Sequence, residues 1–168
     1  MTNKFLATVL FAAATLFATA ASAETVRTPA TGDPAVTITF PDGWQYKLDS
    51  GGSLISFPAD HSSSITVTVT DYKGTLDDLA AGAMKIITNK VPVKLGPATI
   101  SGYKGFVYGS DTTSAKGVHA NVRLYLIQID AGHVSGINYI TIDGMSDAQT
   151  AAADGVMKSI AIIGGPPS

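Results

Sequence analysis

Residues 64–71 (SITVTVTD) alternate without a break: Ile65, Val67 and Val69 fall on one side, Thr66, Thr68 and Thr70 on the other. A repeat of two belongs to a strand, since a helix brings side chains back to one face every 3.6 residues. The segment is therefore a β-strand with one apolar face, and it needs partner strands. Residues 36–40 (VTITF) carry the same repeat and stop at a Pro41-Asp42-Gly43 turn. Two short runs, 44–48 and 53–57, flank Gly51-Gly52 as a hairpin. Residues 98–101 and 103–109 read as another hairpin around Gly102, followed by a polar loop over 111–116. The longest strand spans 118–130. Val118, Ala120, Val122, Leu124 and Leu126 occupy one side, so Leu124 points inward and Arg123 outward, and the pattern then shifts to Ile127 and Ile129. A shift of one residue in a period of two turns every side chain over, which predicts a bulge or an end of pairing between Leu126 and Ile127. After Ala131-Gly132 the chain returns antiparallel over 134–142.

Two segments switch to the helical repeat. Thr75 is a predicted N-cap, with Asp77 and Asp78 in the first turn where the helix dipole favours negative charge. Leu76, Leu79, Ala80, Ala83, Ile86 and Ile87 form its apolar stripe, with Leu79, Ala83 and Ile86 expected against the sheet. Asn89 and Pro92 close it. Ser146 and Gln149 have the spacing of a capping box, and the helix they open runs to about residue 160. Its expected inward stripe is Ala148, Ala152, Val156 and Ile160, with Gly155 permitting close approach to the sheet. Strands, a helix, more strands and a second helix, joined mostly by hairpin connections, define an α+β class: an antiparallel β-sheet with two main helices packed on it.

The amino terminus carries a different signal. Lys4 is followed by an uncharged apolar run over 5–20 and then by Ala21-Ser22-Ala23, the pattern of a cleavable signal peptide over residues 1–23. Cleavage is expected between Ala23 and Glu24, which places the protein in the periplasm or outside the cell, with no membrane-spanning segment left. Residues 24–34, polar and interrupted by Pro29, Gly32 and Pro34, read as a flexible leader. A single domain is expected over 35–163 and a disordered tail over 164–168. The chain contains no cysteine, so disulfide and thiolate chemistry are excluded. Residues 24–168 are long enough to bury the surface that a domain needs to fold on its core alone. The 11 basic residues are scattered singly among 13 acids, which leaves no electrostatic footprint for nucleic acid.

A strand followed by Pro41-Asp42-Gly43-Trp44, a hairpin, a Thr/Val strand and a helix opening Thr75-Leu76-Asp77-Asp78-Leu79 resembles the PsbP-like fold. That superfamily includes the extrinsic protein P of photosystem II, the Mog-type regulators of the Ran GTPase and many bacterial exported proteins. The glycine-rich residues 96–109, two long strands and a terminal helix extend the similarity over nearly all of 24–168. The resemblance implies an αβα-type sandwich and binding or adaptor roles, and it supplies no catalytic residues.

Candidate chemistry is sparse. His61, His119 and His133 fall in a loop, on a strand and at a turn, with no metal-ligand spacing between them. Asp60-His61 beside Ser62 lacks the G-x-S-x-G elbow of a hydrolase and reads as a polar loop. Thr66, Thr68 and Thr70, with Thr37 and Thr39, read as strand formers on half-exposed faces. Trp44 and Tyr46 are together a candidate aromatic anchor for a partner, whereas the PsbP-like resemblance implies that Trp44 closes one end of the core; Gly51-Gly52 lacks the strand-to-helix context of a phosphate loop. His119, Asn121, Arg123 and Tyr125 share one strand face, a polar row able to meet an anionic group, and form the candidate partner-binding surface. No catalytic residue, metal or cofactor is expected. The expectation is a non-enzymatic exported binding or adaptor module acting on a protein or envelope component. A carrier of a lipid or other apolar ligand, using a cleft between sheet and helix, is the alternative, and a hydrolase built on His119 or His133 ranks below both.

Overall fold

The structure is a computed structural model that describes residues 23–114 and 116–164. Residues 1–22 of the expected signal peptide and 165–168 of the expected tail lie outside the described residues. The elements are β1 (Glu24–Thr28), β2 (Ala35–Phe40), β3 (Trp44–Leu48), β4 (Leu54–Pro58), β5 (Ser63–Asp71), α1 (Leu76–Thr88), β6 (Val93–Ile100), β7 (Tyr103–Thr113), β8 (His119–Gln128), β9 (His133–Ile142), α2 (Asp147–Lys158) and β10 (Ala161–Ile163). The class is α+β. The pairings are antiparallel and form two sheets, a seven-stranded one ordered β3-β4-β5-β9-β8-β7-β6 and a three-stranded one ordered β1-β2-β10. The larger sheet is wider than hairpin reading alone implied, because β5 pairs with β9 across an intervening helix and three strands.

The large sheet carries a layer on each face, and the second layer covers only part of it, which explains the broken alternation in β8. Val122, Leu124 and Leu126 point to one side and pack with Ala80 and Met84 of α1, Tyr108 and Val134. Ile127 and Ile129 point to the other side and join Ile65, Val67, Ile137 and Tyr139 beneath Val36, Ile38 and Phe40 of β2, Ala153 and Val156 of α2, and Ile160 just past that helix. The expected bulge between Leu126 and Ile127 is absent. β8 pairs in unbroken register with β7 from His119 to Ile127 and with β9 from Ala120 to Gln128. The change lies in what covers the second face. Beside His119, Asn121 and Arg123 it is open and takes polar residues; further along, the second layer covers it and takes isoleucine.

Residues 24–34 correct the reading of a flexible leader. Residues 24–28 form β1, paired along its whole length with β2, and Arg27 donates to the carbonyls of Pro29 (2.5 Å) and Gly32 and to Asp33 Oδ1 (2.7 Å). A guanidinium that saturates neighbouring carbonyls can order a polar segment that has no apolar repeat. The loop expected over 111–116 is shorter, since β7 continues to Thr113, and β6 starts at Val93, five residues before the expected strand.

Both helices form where expected and turn differently. The Thr75 hydroxyl accepts from the Asp78 amide, and Ser146 and Gln149 make both bonds of a capping box. The buried residues of α1 are Ala80, Met84 and Thr88, with Leu76, Leu79, Ala83 and Ile87 half-buried beside them, whereas Ile86 is 88% exposed. Two residues from Met84 is more than half a turn, so Ile86 faces water. Thr88 can be buried because its hydroxyl donates to the Met84 carbonyl at 2.9 Å. In α2 the inward residues are Ala153 and Val156, while Ala148 and Ala152 are exposed and Gly155 faces open space; the helix ends at Lys158, and Ile160 is buried just beyond it. Alanine on several faces of α2 left the period undecided. Among the described residues no helix is long and apolar enough to cross a membrane.

Candidate functional site

The row on β8 is only partly one site. His119 Nδ1 bonds Thr113 Oγ1 at 2.9 Å and Asn121 Nδ2 donates to Asp143 Oδ1 at 3.1 Å, so both are engaged at the end of the sheet. Arg123 and Tyr125 instead turn into a trough between the sheet and α2. Arg123 is exposed and has no hydrogen-bond or ion-pair partner among the described residues. Facing it are Asp154 of α2 and Tyr139 of β9, whose hydroxyl donates to Asp154 Oδ1 at 3.2 Å. Arg123 and Tyr139 are opposite each other in the ladder, so their side chains leave the sheet on the same face. Burial, reinforced by the negative Asp154, pushes the Tyr139 phenol up to about 12, against a smaller opposing effect of Arg123. Tyr139 therefore remains a protonated donor at physiological pH.

The open half of this face extends from Arg123 towards the sheet edge. A bulge between Lys94 and Gly96 inserts Leu95, and its side chain lies over Gly109, the ladder neighbour of Arg123. Val93 also pairs with Gly109 and so shares the face. Val93 and Leu95 are 63% and 55% exposed. Tyr139, Asp154, Val93 and Leu95 were not singled out from sequence. Tyr139 and Asp154 come from different elements and meet only through α2 docking, and the one local sign of Leu95's position is the adjacent Gly96-Pro97.

A second concavity lies on the opposite face. α1 sits over β7 and β8, leaving a groove of about 350 Å3 along β5 and β9. Leu79, Ala83 and Ile87 of α1 and Leu124 and Leu126 of β8 form its apolar side, with Thr66, Thr68 and Thr70 opposite. Asn138, the ladder neighbour of Thr66, also lines it, and its buried Oδ1 has no hydrogen-bond partner among the described residues. Thr37 and Thr39 belong to the small sheet and do not join this threonine row.

The histidines occupy three separate places. His61 stacks on Phe57 with ring centres 4.9 Å apart, His119 is bound to Thr113, and His133 lies between Asp130 (2.8 Å) and Asp71 (3.3 Å). Asp130 also accepts from the Gly132 and His133 amides, which folds the β8–β9 turn. The Gly132 amide, and after it the His133 side chain, hold the Asp130 carboxyl below the usual carboxylate range, with the His133 amide adding least. Trp44 packs against the core and stacks on Phe40, as does Tyr46, which donates to Glu24 Oε1 at 2.5 Å. Asp60 accepts from Gln149 Nε2 at 2.7 Å, joining the β4–β5 loop to the first turn of α2.

The chain is similar to three solved structures to different degrees. The chain is similar to cyanobacterial PsbP from Synechocystis with a TM-score of 0.60 and 13% identity, over 88% of this chain and 96% of that one. A Bacteroides thetaiotaomicron protein gives a TM-score of 0.51 at 11% identity over 77% of this chain, which spans 46% of that protein's length. LpqN of Mycobacterium tuberculosis, described as involved in cell envelope biogenesis, gives 0.48 at 17% identity over 83% and 91% of the two chains. No family model matches the sequence, and no curated protein matches it. At these identities the likeness concerns the fold alone, and the fold is PsbP-like.

Proposed function

We propose that this chain is an exported, non-catalytic binding module that engages a protein or envelope partner through the open half-sheet around Arg123. The layering, with α1 on one face and α2 and the small sheet on the other, is taken as the αβα-type sandwich of the PsbP-like fold, and export rests on the sequence of residues 1–23. The observation that carries the reading is that exposed Val93 and Leu95 flank an exposed Arg123 that has no hydrogen-bond or ion-pair partner among the described residues. Apolar side chains around a cation are the make-up of an interaction surface, and arginine is among the residues that contribute most at such surfaces. The test is proximity crosslinking in the exporting cell from a photoreactive residue at position 107, with and without Leu95→Asp and Arg123→Glu. A specific adduct that these substitutions abolish supports the reading. An adduct of unchanged yield in the double variant, or none from the wild type, overturns it.

The groove beneath α1 favours a second reading, a carrier of an apolar ligand. Its wall is apolar while its threonine row and the unmet Asn138 carbonyl supply a few polar contacts, the usual composition of a small-molecule site. Native mass spectrometry of the protein purified from its own envelope, compared with a groove-filling Ala83→Phe variant, distinguishes the two. A bound species that disappears in that variant favours the carrier.

A further inference from the structure

The trough along α2 has a division of charge that narrows what it can hold. Two concavities of about 440 and 430 Å3 meet at Arg123, Tyr139 and Asp154. The first reaches towards Lys158 and the β6–β7 turn, so its charged lining is Arg123 and Lys158 against Asp154. The second reaches towards the connection between β9 and α2, where Asp143 and Asp154 stand against Arg123. One end is thus richer in cations and the other in carboxylates, with the Tyr139 ring between them. No ion pair closes Arg123 onto Asp154 among the described residues. A guanidinium presents five donors in a fixed fork that matches a carboxylate, and Asp154 keeps acceptor sites beyond the one taken by Tyr139.

We propose that this trough binds a short zwitterionic peptide, its carboxylate on Arg123 and Lys158 and its ammonium towards Asp154 and Asp143. The proposal rests on the reading of the Arg123 face as a binding surface and adds the chemistry of what is bound. A simple anion would be repelled by the carboxylates at one end and a simple cation by the guanidinium at the other, so only a molecule carrying both charges is matched along the whole trough. Two adjoining concavities, one with Lys158 and the other with Asp143 beside the shared Arg123 and Asp154, give a dipeptide one for each charged terminus. The half-buried Tyr125 ring, which lines the first concavity, offers a surface for an apolar side chain.

The experiment uses residues 24–168 and the dipeptide Ala-Phe, followed by amide chemical-shift changes and calorimetry. Its N-acetyl and C-terminal amide derivatives serve as probes of each charge. The free dipeptide is expected to bind about tenfold more tightly than either derivative, the scale of a single charge-assisted hydrogen bond. Arg123→Gln should remove the discrimination against the amide and leave that against the acetyl form. Asp154→Asn, which keeps an acceptor for Tyr139, should do the converse. No saturable binding, equal affinity for blocked and free peptides, or an Arg123→Gln variant that still rejects the amide overturns the proposal. An absence of dipeptide selectivity while the crosslinked adduct persists refutes this inference alone, whereas selectivity retained without an adduct refutes only the broader reading.

Discussion

Gly105 offers a sharp test of the packing between β7 and β8. It lies opposite Ile127, and β8 is held by β7 on one side and β9 on the other. A Cβ at this position would stand 1.9 Å from the Leu126 carbonyl oxygen and 2.8 Å from Ile127 Cα, inside the 3.0 Å limit that real Cβ atoms respect. The obstacle is backbone in the middle of a sheet, so it cannot swing aside as a side chain would. Overpacking a core costs about 1–3 kcal/mol and occasionally more, and a backbone obstacle places Gly105→Ala at about 3 kcal/mol or above. With a urea dependence of about 2 kcal/mol per molar for a domain of this size, the unfolding midpoint should fall by about 1.5 M. Gly155→Ala is the matched control, because position 155 lies exposed in α2 with nothing within 4 Å of the added carbon. It should gain about 0.4–1 kcal/mol through helix propensity and a less flexible unfolded chain. Urea titration followed by the fluorescence of the single tryptophan, Trp44, and by far-UV circular dichroism measures both. A Gly105→Ala midpoint within about 0.3 M of the wild type, with unchanged slope, would refute the close approach of the two strands.

Two further expectations concern the helices. Met84→Ala, at a fully buried position on α1, should cost about 2–5 kcal/mol, whereas Ile86→Ala should change stability by less than about 0.5 kcal/mol; equal effects in denaturant titrations would mean that α1 is turned about its axis. Asp60 is held at a pKa of about 2, mainly by Gln149 and then by Ser62, below its ordinary 3.8. A carboxyl whose folded pKa is depressed adds stability that is complete above 3.8 and is lost as the pH falls towards 2, so the stability gap between wild type and Asp60→Asn should close over that interval. A gap that stays constant from pH 5 to pH 2 in urea midpoints would contradict the Asp60–Gln149 link.

Much of the fold could be read from local chemistry. The Thr/Val alternation of β5, the Gly51-Gly52 hairpin, the Thr75 cap and the Ser146–Gln149 capping box depend on neighbours in sequence, and each is present in the structure. The misreadings share another cause, which is contact across the chain. β10 is three residues long and exists because Ile162 pairs with Val36 in β2. β1 carries no apolar repeat and is ordered by its partner strand and by the contacts of Arg27. Ile86 and the alanines of α2 were placed by hydropathy, and the helices are turned instead by tertiary packing, which overrides propensity.

The coverage of the large sheet accounts for both its sequence and its candidate sites. A strand buried on one face alternates, and one buried on both faces is apolar throughout. β8 does each in turn, with His119, Asn121 and Arg123 alternating against Val122 and Leu124 before Leu126, Ile127 and Ile129 run together. That transition marks the edge of the layer formed by α2 and the small sheet, so the row chosen from sequence lies along this edge. On the opposite face α1 covers β7 and β8 and leaves β5 and β9 exposed beside it, where the threonines of β5 become one wall of the apolar groove. The two layers are therefore offset across the sheet, and each offset creates a concavity at a helix flank. Of these, the α2 trough has an unpaired guanidinium and a carboxylate on opposite walls, while the α1 groove has hydroxyls and an unmet amide carbonyl against aliphatic carbon. The first composition selects for charge and the second for apolar bulk, so a ligand suited to one is poorly matched to the other.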